Sequence, residues 1–262
     1  LQIAVQPSDN VDILFNAHTS ENDADMGAWQ HEATYSPDGG ITSLALPADL
    51  NWYDTCPGCD AFGYRDTDGD PWEGAYDRDG SLTIENSGGS MRIDLDVSDL
   101  TFTSITAYEN FERHYGEDTD VSPGPIIHNT YEADIDQFTQ EIRLSGEHDR
   151  LHWLVGAFYY DHEVDGFFEI DASGIDFLIG DANYDQETES WSVFGQAEYD
   201  LADAWTLIAG LRYTDEEREL DYLSEENNGL LPPDDNTMFD YDNTISNDNI
   251  TGKVELNFRP SD

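Results

Sequence analysis

The sequence has very little positive charge. Lysine occurs once, at Lys253, and lysine and arginine together number 10 against 58 aspartate and glutamate residues, which gives a formal net charge of −48. A surface that binds nucleic acid needs clustered lysine and arginine to contact phosphates, and no basic stripe is present. The composition therefore excludes nucleic acid as a partner.

Long apolar runs are also missing. No segment approaches the roughly 20 consecutive apolar residues that a transmembrane helix requires, and only 38% of the residues are hydrophobic. Aromatic residues nevertheless make up 12% of the chain, and they sit in patterned runs that argue against general disorder. Membrane-spanning strands are compatible with this composition, because their apolar residues alternate with polar ones.

Apolar and polar residues alternate along nine segments, which predicts nine β-strands. The alternation is clearest in residues 91–97, 191–199, 205–213 and 250–258, and weaker in residues 1–5, 11–17, 101–111, 138–146 and 151–159. Tight connections alternate strictly with long ones, which we place at residues 20–89, 112–137, 163–189 and 220–249. Short turns at one end and long loops at the other are typical of an up-and-down transmembrane β-barrel.

Aromatic residues mark the ends of the clearest strands. Trp191 and Tyr199 share one face of a segment, as do Trp205 and Tyr213. Eight residues of a tilted strand rise about 20 Å, close to the apolar band of an outer membrane with its two aromatic girdles. Ordinary antiparallel strands with one face on a soluble core are the alternative, but they do not explain the alternation of the loops.

Five segments resemble barrel strands of TonB-dependent outer-membrane receptors: 100–108 (LTFTSITAY), 138–146 (FTQEIRLSG), 151–160 (LHWLVGAFYY), 191–199 (WSVFGQAEY) and 205–217 (WTLIAGLRYTDEE). The resemblance is dense from about residue 90 to 220. These motifs are specific to the barrel of the family and carry little information about cargo.

The resemblance implies a location in the bacterial outer membrane, in contact with its lipid, and import of a scarce ligand. Ferric siderophores are the first expectation, with cobalamin, haem or oligosaccharides as alternatives. In the family, a barrel of about 22 strands is plugged by an N-terminal domain, and an N-terminal segment couples to the TonB complex. Nine strands are less than half of such a barrel. We find neither the plug nor the C-terminal strands in these residues, and both ends read as cuts through a larger protein.

Cys56 and Cys59 are the only cysteines and form a CxxC pair in a long polar loop. A zinc site would need two further ligands, and no second CxxC is present. Because the outside of the cell is oxidising, we expect a local structural disulfide, with redox or metal chemistry as the alternative.

Asp66, Asp68 and Asp70 alternate in the same loop, near Asp77 and Asp79. Carboxylates on alternate residues can converge on one calcium ion, so calcium binding in the 66–79 loop is one interpretation. The segment departs from the EF-hand pattern, because Pro71 stands where that loop requires glycine. An acidic, solvated turn is the alternative.

Several loop aromatics could stack on a ligand or pack the loops together. The candidates are Trp29, Trp52, Trp72, Phe167 and Phe168. Most acidic residues fall in the same long loops, which fits either a cation-attracting vestibule or general surface acidity for a saline habitat. We favour the second explanation, because the strands and turns are acidic as well.

The seven histidines show no metalloprotease spacing, and the chain lacks a nucleophile elbow, a P-loop and a dinucleotide fingerprint. We therefore expect no enzymatic activity. A secreted calcium-binding β-sandwich, acting in adhesion or carbohydrate binding, is the rival hypothesis. It explains the aspartate-rich loop and leaves the regular alternation of the loops unexplained.

Overall fold

The computed structural model describes residues 1–25, 29, 64, 70, 72–172, 179–227, 231 and 236–259. These residues form nine strands in a single antiparallel sheet, ordered as in the chain, so the predicted all-β, up-and-down arrangement is confirmed. The strands are β1 (Gln2–Ser8), β2 (Val11–Asp25), β3 (Ser81–Val97), β4 (Leu100–Asp118), β5 (His128–His148), β6 (Leu151–Asp171), β7 (Ile179–Ala202), β8 (Trp205–Glu226) and β9 (Thr237–Phe258).

Four hairpins close with only two residues between their paired ends. The closing pairs are Ser8 with Val11, Val97 with Leu100, His148 with Leu151 and Ala202 with Trp205. Ser98 and Asp149, each the first residue of its turn, have positive φ angles of 56° and 51°. Left-handed backbone at such positions lets a two-residue turn follow the twist of the strands. All four turns lie at one end of the sheet.

The strands extend far into the segments that the sequence predicted as loops, so the loop bounds 20–89, 112–137, 163–189 and 220–249 are too wide. β2 ends only at Asp25 and β3 begins at Ser81, while β4 ends at Asp118 and β5 begins at His128. The longest strand, β7, has 24 residues, whereas about 10 residues suffice to cross an outer membrane. In a membrane-spanning barrel, strands of this length would extend well beyond the bilayer.

Side chains separate onto two faces of the sheet. Along β7, from residue 183 to residue 193, odd-numbered side chains are exposed and even-numbered ones are buried or half-buried. Trp191 packs against Tyr213 on the first face, with ring centroids 5.5 Å apart. Arg212 lies over the ring of Phe194 on the second face. We call these the outward face and the lumen face.

The zone bounded by Trp191 and Tyr199 on β7, and by Trp205 and Tyr213 on β8, is called the membrane band. Its outward face is apolar and exposed, as at Leu211, whose exposure is 63%. The strand segments beyond this zone, toward the long connections, are called the extracellular extension: residues 19–25, 81–88, 109–118, 128–137, 161–171, 179–190, 214–226 and 237–249.

A β-sandwich would need two sheets packed face to face over a core, and the described strands form one sheet. Among the described residues, the buried hydrophobic side chains are only Ile126, Ala172, Ala182 and Ile208. The rival sandwich hypothesis is therefore wrong. No helix long and apolar enough to cross a membrane occurs in the described part of the chain.

Candidate functional site

An aromatic row crosses the lumen face of the extracellular extension. Tyr115 pairs with Tyr131 across β4 and β5, and Tyr131 pairs with Phe168 across β5 and β6. Their rings are in contact, with centroids 5.4 Å and 4.8 Å apart. Because the three residues occupy one register position on adjacent strands, the rings form a continuous surface.

A second set of aromatic residues lies on the same face of β7, β8 and β9, two residues nearer the membrane band, because Phe168 itself pairs with Ala182. Tyr184 pairs with Tyr222, and Tyr222 pairs with Tyr241. Gly166 joins the two halves, because a Cβ atom placed there would lie 1.9 Å from the Tyr184 ring. The missing side chain makes room for this ring beside Phe168. The aromatic row thus comprises Tyr115, Tyr131, Phe168, Tyr184, Tyr222 and Tyr241.

The phenols of Tyr115 and Tyr131 are neutral at ordinary pH. Burial and a hydrogen bond to the Glu117 carboxylate raise the pKa of Tyr115 to about 12, against the opposing effect of a Trp29 hydrogen bond. Burial also raises the pKa of Tyr131, which the nearby Arg113 opposes. Neutral aromatic surface with phenol donors, next to one guanidinium, suits a ligand that has flat rings and oxygen acceptors.

The five aromatic residues predicted from sequence as ligand-binding candidates lie in different places. Phe168 belongs to the row, and Trp29 lies beside it through its bond to Tyr115. Phe167 lies on the opposite, outward face, where it lines a groove of about 750 Å³ with Asp165 and Asp185. Trp72 is 86% exposed. Trp52 lies outside the described residues.

Most of the row was missed by sequence reasoning. Tyr115, Tyr131, Tyr184, Tyr222 and Tyr241 all fall in segments that we predicted as loops. A period of two marks these tyrosines. Each one is an even number of residues away from the lumen-facing residues in the membrane band of the same strand, so it faces the lumen as well. Their convergence, however, depends on the register between strands.

Basic residues gather on the lumen face of the membrane band. Arg143, Arg212 and Lys253 line one groove of about 490 Å³. The Arg212 guanidinium lies 5.8 Å and 5.7 Å from the ring centroids of Phe158 and Phe194, within cation–π range. Arg92 makes two hydrogen bonds to the Asp94 carboxylate on this level, of 2.7 Å and 3.0 Å. Arg143 and Lys253 pair with Glu141 and Glu255 on the same face, as Arg92 does with Asp94. The lumen below the aromatic row thus holds ion pairs, together with an Arg212 guanidinium that contacts aromatic rings.

Acidic side chains of the extracellular extension lie mainly on its outward face. Five aspartates face one another across five adjacent strands and form what we call the aspartate ladder: Asp134, Asp165, Asp185, Asp221 and Asp242. Burial, followed by the neighbouring Asp165 charge, raises the pKa of Asp185. A cation-attracting vestibule would require such acids on the lumen face, so these residues do not build one.

A second polar cluster lies where β4 ends and β5 begins. The His128 Nε2 atom is 3.0 Å and 3.1 Å from the two carboxylate oxygens of Asp77. The backbone N–H of Asp77 donates to the Asp118 carboxylate at 3.2 Å. Burial and the charges of Asp120 and Asp77 raise the pKa of Asp118 to about 6, although N–H groups of Val121 and Asp77 oppose the rise.

Other sequence predictions concern residues outside the described part of the chain. Cys56 and Cys59 lie there, so their disulfide stays a prediction. Asp66 and Asp68 lie there as well. Asp70 accepts a hydrogen bond from the Trp72 backbone N–H at 3.0 Å, and calcium binding in the 66–79 loop likewise stays a prediction.

Comparison with known proteins agrees with this architecture. The profile of the family described as "TonB dependent receptor-like, beta-barrel" matches residues 9–262. The fold is similar to that of the ferric yersiniabactin uptake receptor FyuA from Yersinia pestis (TM-score 0.61, 12% identity), with 100% of this chain and 42% of that receptor covered. It is also similar to the siderophore receptor PiuA from Acinetobacter baumannii (TM-score 0.60, 17% identity), with coverages of 96% and 38%.

At these identities the two structures establish the fold alone, and the chain spans about two fifths of the length of either receptor. The family profile covers nearly the whole chain and agrees with the resemblance of the barrel motifs. It also confirms the expected outer-membrane location and the expectation of a receptor rather than an enzyme. The chain belongs to the TonB-dependent receptor β-barrel family.

Proposed function

We propose that the full-length protein captures a scarce ligand at the cell surface and imports it through the outer membrane, with energy supplied through TonB. A ferric siderophore is the first candidate for the cargo. Family membership supports the general role. The observation that supports ligand capture most directly is the aromatic row on the lumen face of the extracellular extension.

The row suits capture for two physical reasons. Tyrosine and phenylalanine side chains present large, rigid surfaces, and ordering them on a ligand loses little conformational entropy. The Tyr131 hydroxyl stays protonated, so it can donate a hydrogen bond to an oxygen atom that chelates iron in a siderophore, whereas the Tyr115 hydroxyl already donates to Glu117. Arg113 adds a positive charge on the same face.

The lumen of the membrane band offers polar contacts to a cargo that carries carboxylate or phenolate oxygens. Below the row, Arg143, Arg212 and Lys253 line a lumen groove, and charges in a channel with low-dielectric walls act strongly on a passing ion. Cargo released from the row would thus meet the Arg212 guanidinium, whereas Arg143 and Lys253 are paired with Glu141 and Glu255. Rearrangement of a plug domain, driven through TonB, would open the remaining path.

A pair of neighbouring residues tests capture. Phe168→Ala removes a ring from the lumen row, whereas Phe167→Ala removes the same ring from the outward face one residue earlier. The probes are a ferric hydroxamate and a ferric catecholate siderophore, titrated onto the purified full-length receptor. We expect at least one probe to bind, and Phe168→Ala to weaken it about 2- to 10-fold, with Phe167→Ala close to wild type. Equal effects of the two substitutions would refute the role of the row.

Energised import needs a separate test. Cells that express the full-length receptor are given the bound probe loaded with radioactive iron, with or without a functional TonB complex. We expect surface binding in both strains and accumulation only where TonB functions. Equal accumulation in both strains would contradict energised transport and would leave the capture result intact.

A further inference from the structure

Three side chains from separate parts of the chain converge at the extracellular ends of β4 and β5. Asp77 precedes β3, Asp118 ends β4 and His128 begins β5. One ligand atom from each lies within 4.8 Å of the others. The His128 Nε2 atom is 3.0 Å from Asp77 Oδ1.

The donor set matches a borderline divalent cation. Imidazole nitrogen and carboxylate oxygen bind zinc at about 2.0–2.2 Å, which places neighbouring ligands roughly 3.3–3.5 Å apart in a tetrahedral site. The separation of His128 from Asp77 is slightly shorter than this, and the outer limit of the cluster is longer. Small shifts of these side chains would bring the three ligand atoms to metal-binding distances, and a water molecule would complete a tetrahedral site.

Burial and charge distinguish this cluster from the other acidic groups on the surface. Asp118 is only 4% exposed, and the side chains of His128 and Asp77 are 16% and 17% exposed. The charges that act most strongly on Asp118 come from Asp120 and Asp77, and both are negative. His128 and the backbone N–H groups that donate to Asp118 compensate these carboxylates in part, and a bound cation would add to that compensation.

Two other groups in the described chain provide a contrast. Glu163, Asp185 and Glu187 also converge, but all three are exposed and none supplies nitrogen, so water solvates them. His114 and Glu132 form a histidine–carboxylate pair at 3.0 Å, with both side chains about half exposed and no third ligand in the group. Among the described residues, only the first cluster combines a buried carboxylate, mixed donors and three ligands. Asp77 counts as exposed as a whole residue, although its side chain is largely covered.

We propose that Asp77, Asp118 and His128 bind one divalent transition-metal ion, with zinc as the best match. The bound ion would link residues 72–80, which lead into β3, to the end of β4 and the beginning of β5. We assign the ion a structural role, because the site joins three separate segments and its β4 and β5 ligands lie on the face opposite the rings of the aromatic row. The assignment does not depend on which cargo the receptor imports.

Zinc titration of the metal-stripped, full-length receptor in detergent tests the site, with isothermal calorimetry as the readout. We expect His128→Gln and Asp118→Asn each to weaken one zinc-binding event about 10-fold or more. His114→Gln, which alters the exposed pair on the same strand end, should bind zinc as wild type does. Heat-modifiable gel mobility verifies that each variant is folded, and Asp77→Asn replaces any variant that is not.

Trypsin cleavage after Arg78 supplies a second readout, because this residue lies in the segment 72–80 that the metal would link to β4 and β5. Zinc should slow this cleavage in wild type and in His114→Gln, and should not slow it in His128→Gln. Cobalt bound in place of zinc should give the strong visible absorption of a tetrahedral site. The proposal is overturned if wild type takes up no zinc, if His128→Gln binds zinc as wild type does, or if calcium alone binds.

Discussion

The membrane band and the extracellular extension are parts of the same strands, yet they carry opposite patterns. On β7 the outward face shows Trp191 and Val193 in the membrane band and Asp185 and Glu187 in the extension, all exposed. The lumen face changes as well, from the basic groove around Arg212 to the aromatic row. One continuous ladder of hydrogen bonds runs through both regions.

The difference shows how the surroundings select the sequence of a strand whose backbone stays the same. Lipid outside the barrel requires apolar side chains, because a charge in the hydrocarbon layer is costly. Water outside the extension removes that requirement, so acids take the outward positions. Apolar and aromatic side chains of the extension then concentrate on the lumen face, where they can contact a ligand.

The largest expected difference concerns a charge placed on the outward face of β8. Leu211→Arg puts a guanidinium in the membrane band and should destabilise the protein by about 2–4 kcal/mol in a bilayer. Glu219→Arg places the same group on the same face in the extension, and should change stability by less than about 0.5 kcal/mol. Guanidinium unfolding in lipid vesicles, followed by tryptophan fluorescence, measures both. Similar losses for the two variants would break the distinction between the regions.

A smaller difference is expected for glycine substitutions. In the extension, Gly166→Ala places a Cβ atom 1.9 Å from the Tyr184 ring, and displacing the ring should cost about 1–3 kcal/mol. In the membrane band, Gly195→Ala meets its nearest atoms at 3.4 Å and should be neutral within about 0.5 kcal/mol. The same unfolding assay applies. A neutral Gly166→Ala would show that Tyr184 does not depend on this space.

The smallest effect concerns the aspartate ladder. Like charges directly opposite each other are unfavourable, so Asp185→Asn at its centre should stabilise the protein by about 0.2–1 kcal/mol at low salt. Near 0.15 M salt the Debye length is about 8 Å and the gain should shrink. Asp240→Asn is the control, because Asp240 faces Leu223. A gain that is independent of salt, or equal in the control, would argue against repulsion within the ladder.

Sequence reasoning succeeded where lipid imposes a strong pattern. The outward positions from Trp191 to Tyr199 are uncharged between their aromatic ends, so strand, face and girdle could all be assigned before the structure was known. The number and order of the strands followed from nine such segments and from the regular alternation of connections.

The strands of the extracellular extension were missed because their outward positions are acidic, whereas those of the membrane band are apolar. In residues 161–165 the acids Asp161, Glu163 and Asp165 alternate with His162 and Val164. This segment does alternate with a period of two. Because its outward positions are acidic and not apolar, we interpreted it as an acidic loop. The opposite faces of Phe167 and Phe168 follow once the strand is extended.

The sequence does not show which residues of different strands lie close together. Neither the pairing of Tyr115 with Tyr131 nor the meeting of Asp77, Asp118 and His128 is encoded in the spacing of any one segment. Both depend on the register between strands and on the path of the chain that leads into β3. The sequence singled out Asp77 as part of an acidic turn, without its two partners.

The outward face of β7 changes from apolar in the membrane band to acidic in the extracellular extension. Spin labels in the full-length receptor measure the surroundings of this face most directly. Val193→Cys and Glu187→Cys are made separately, with Cys56 and Cys59 replaced by serine, and each label is examined in lipid bilayers. The label at 193 should collide mainly with oxygen dissolved in lipid, and the label at 187 mainly with a water-soluble nickel chelate. Equal nickel accessibility at both positions would contradict a membrane band that ends between them.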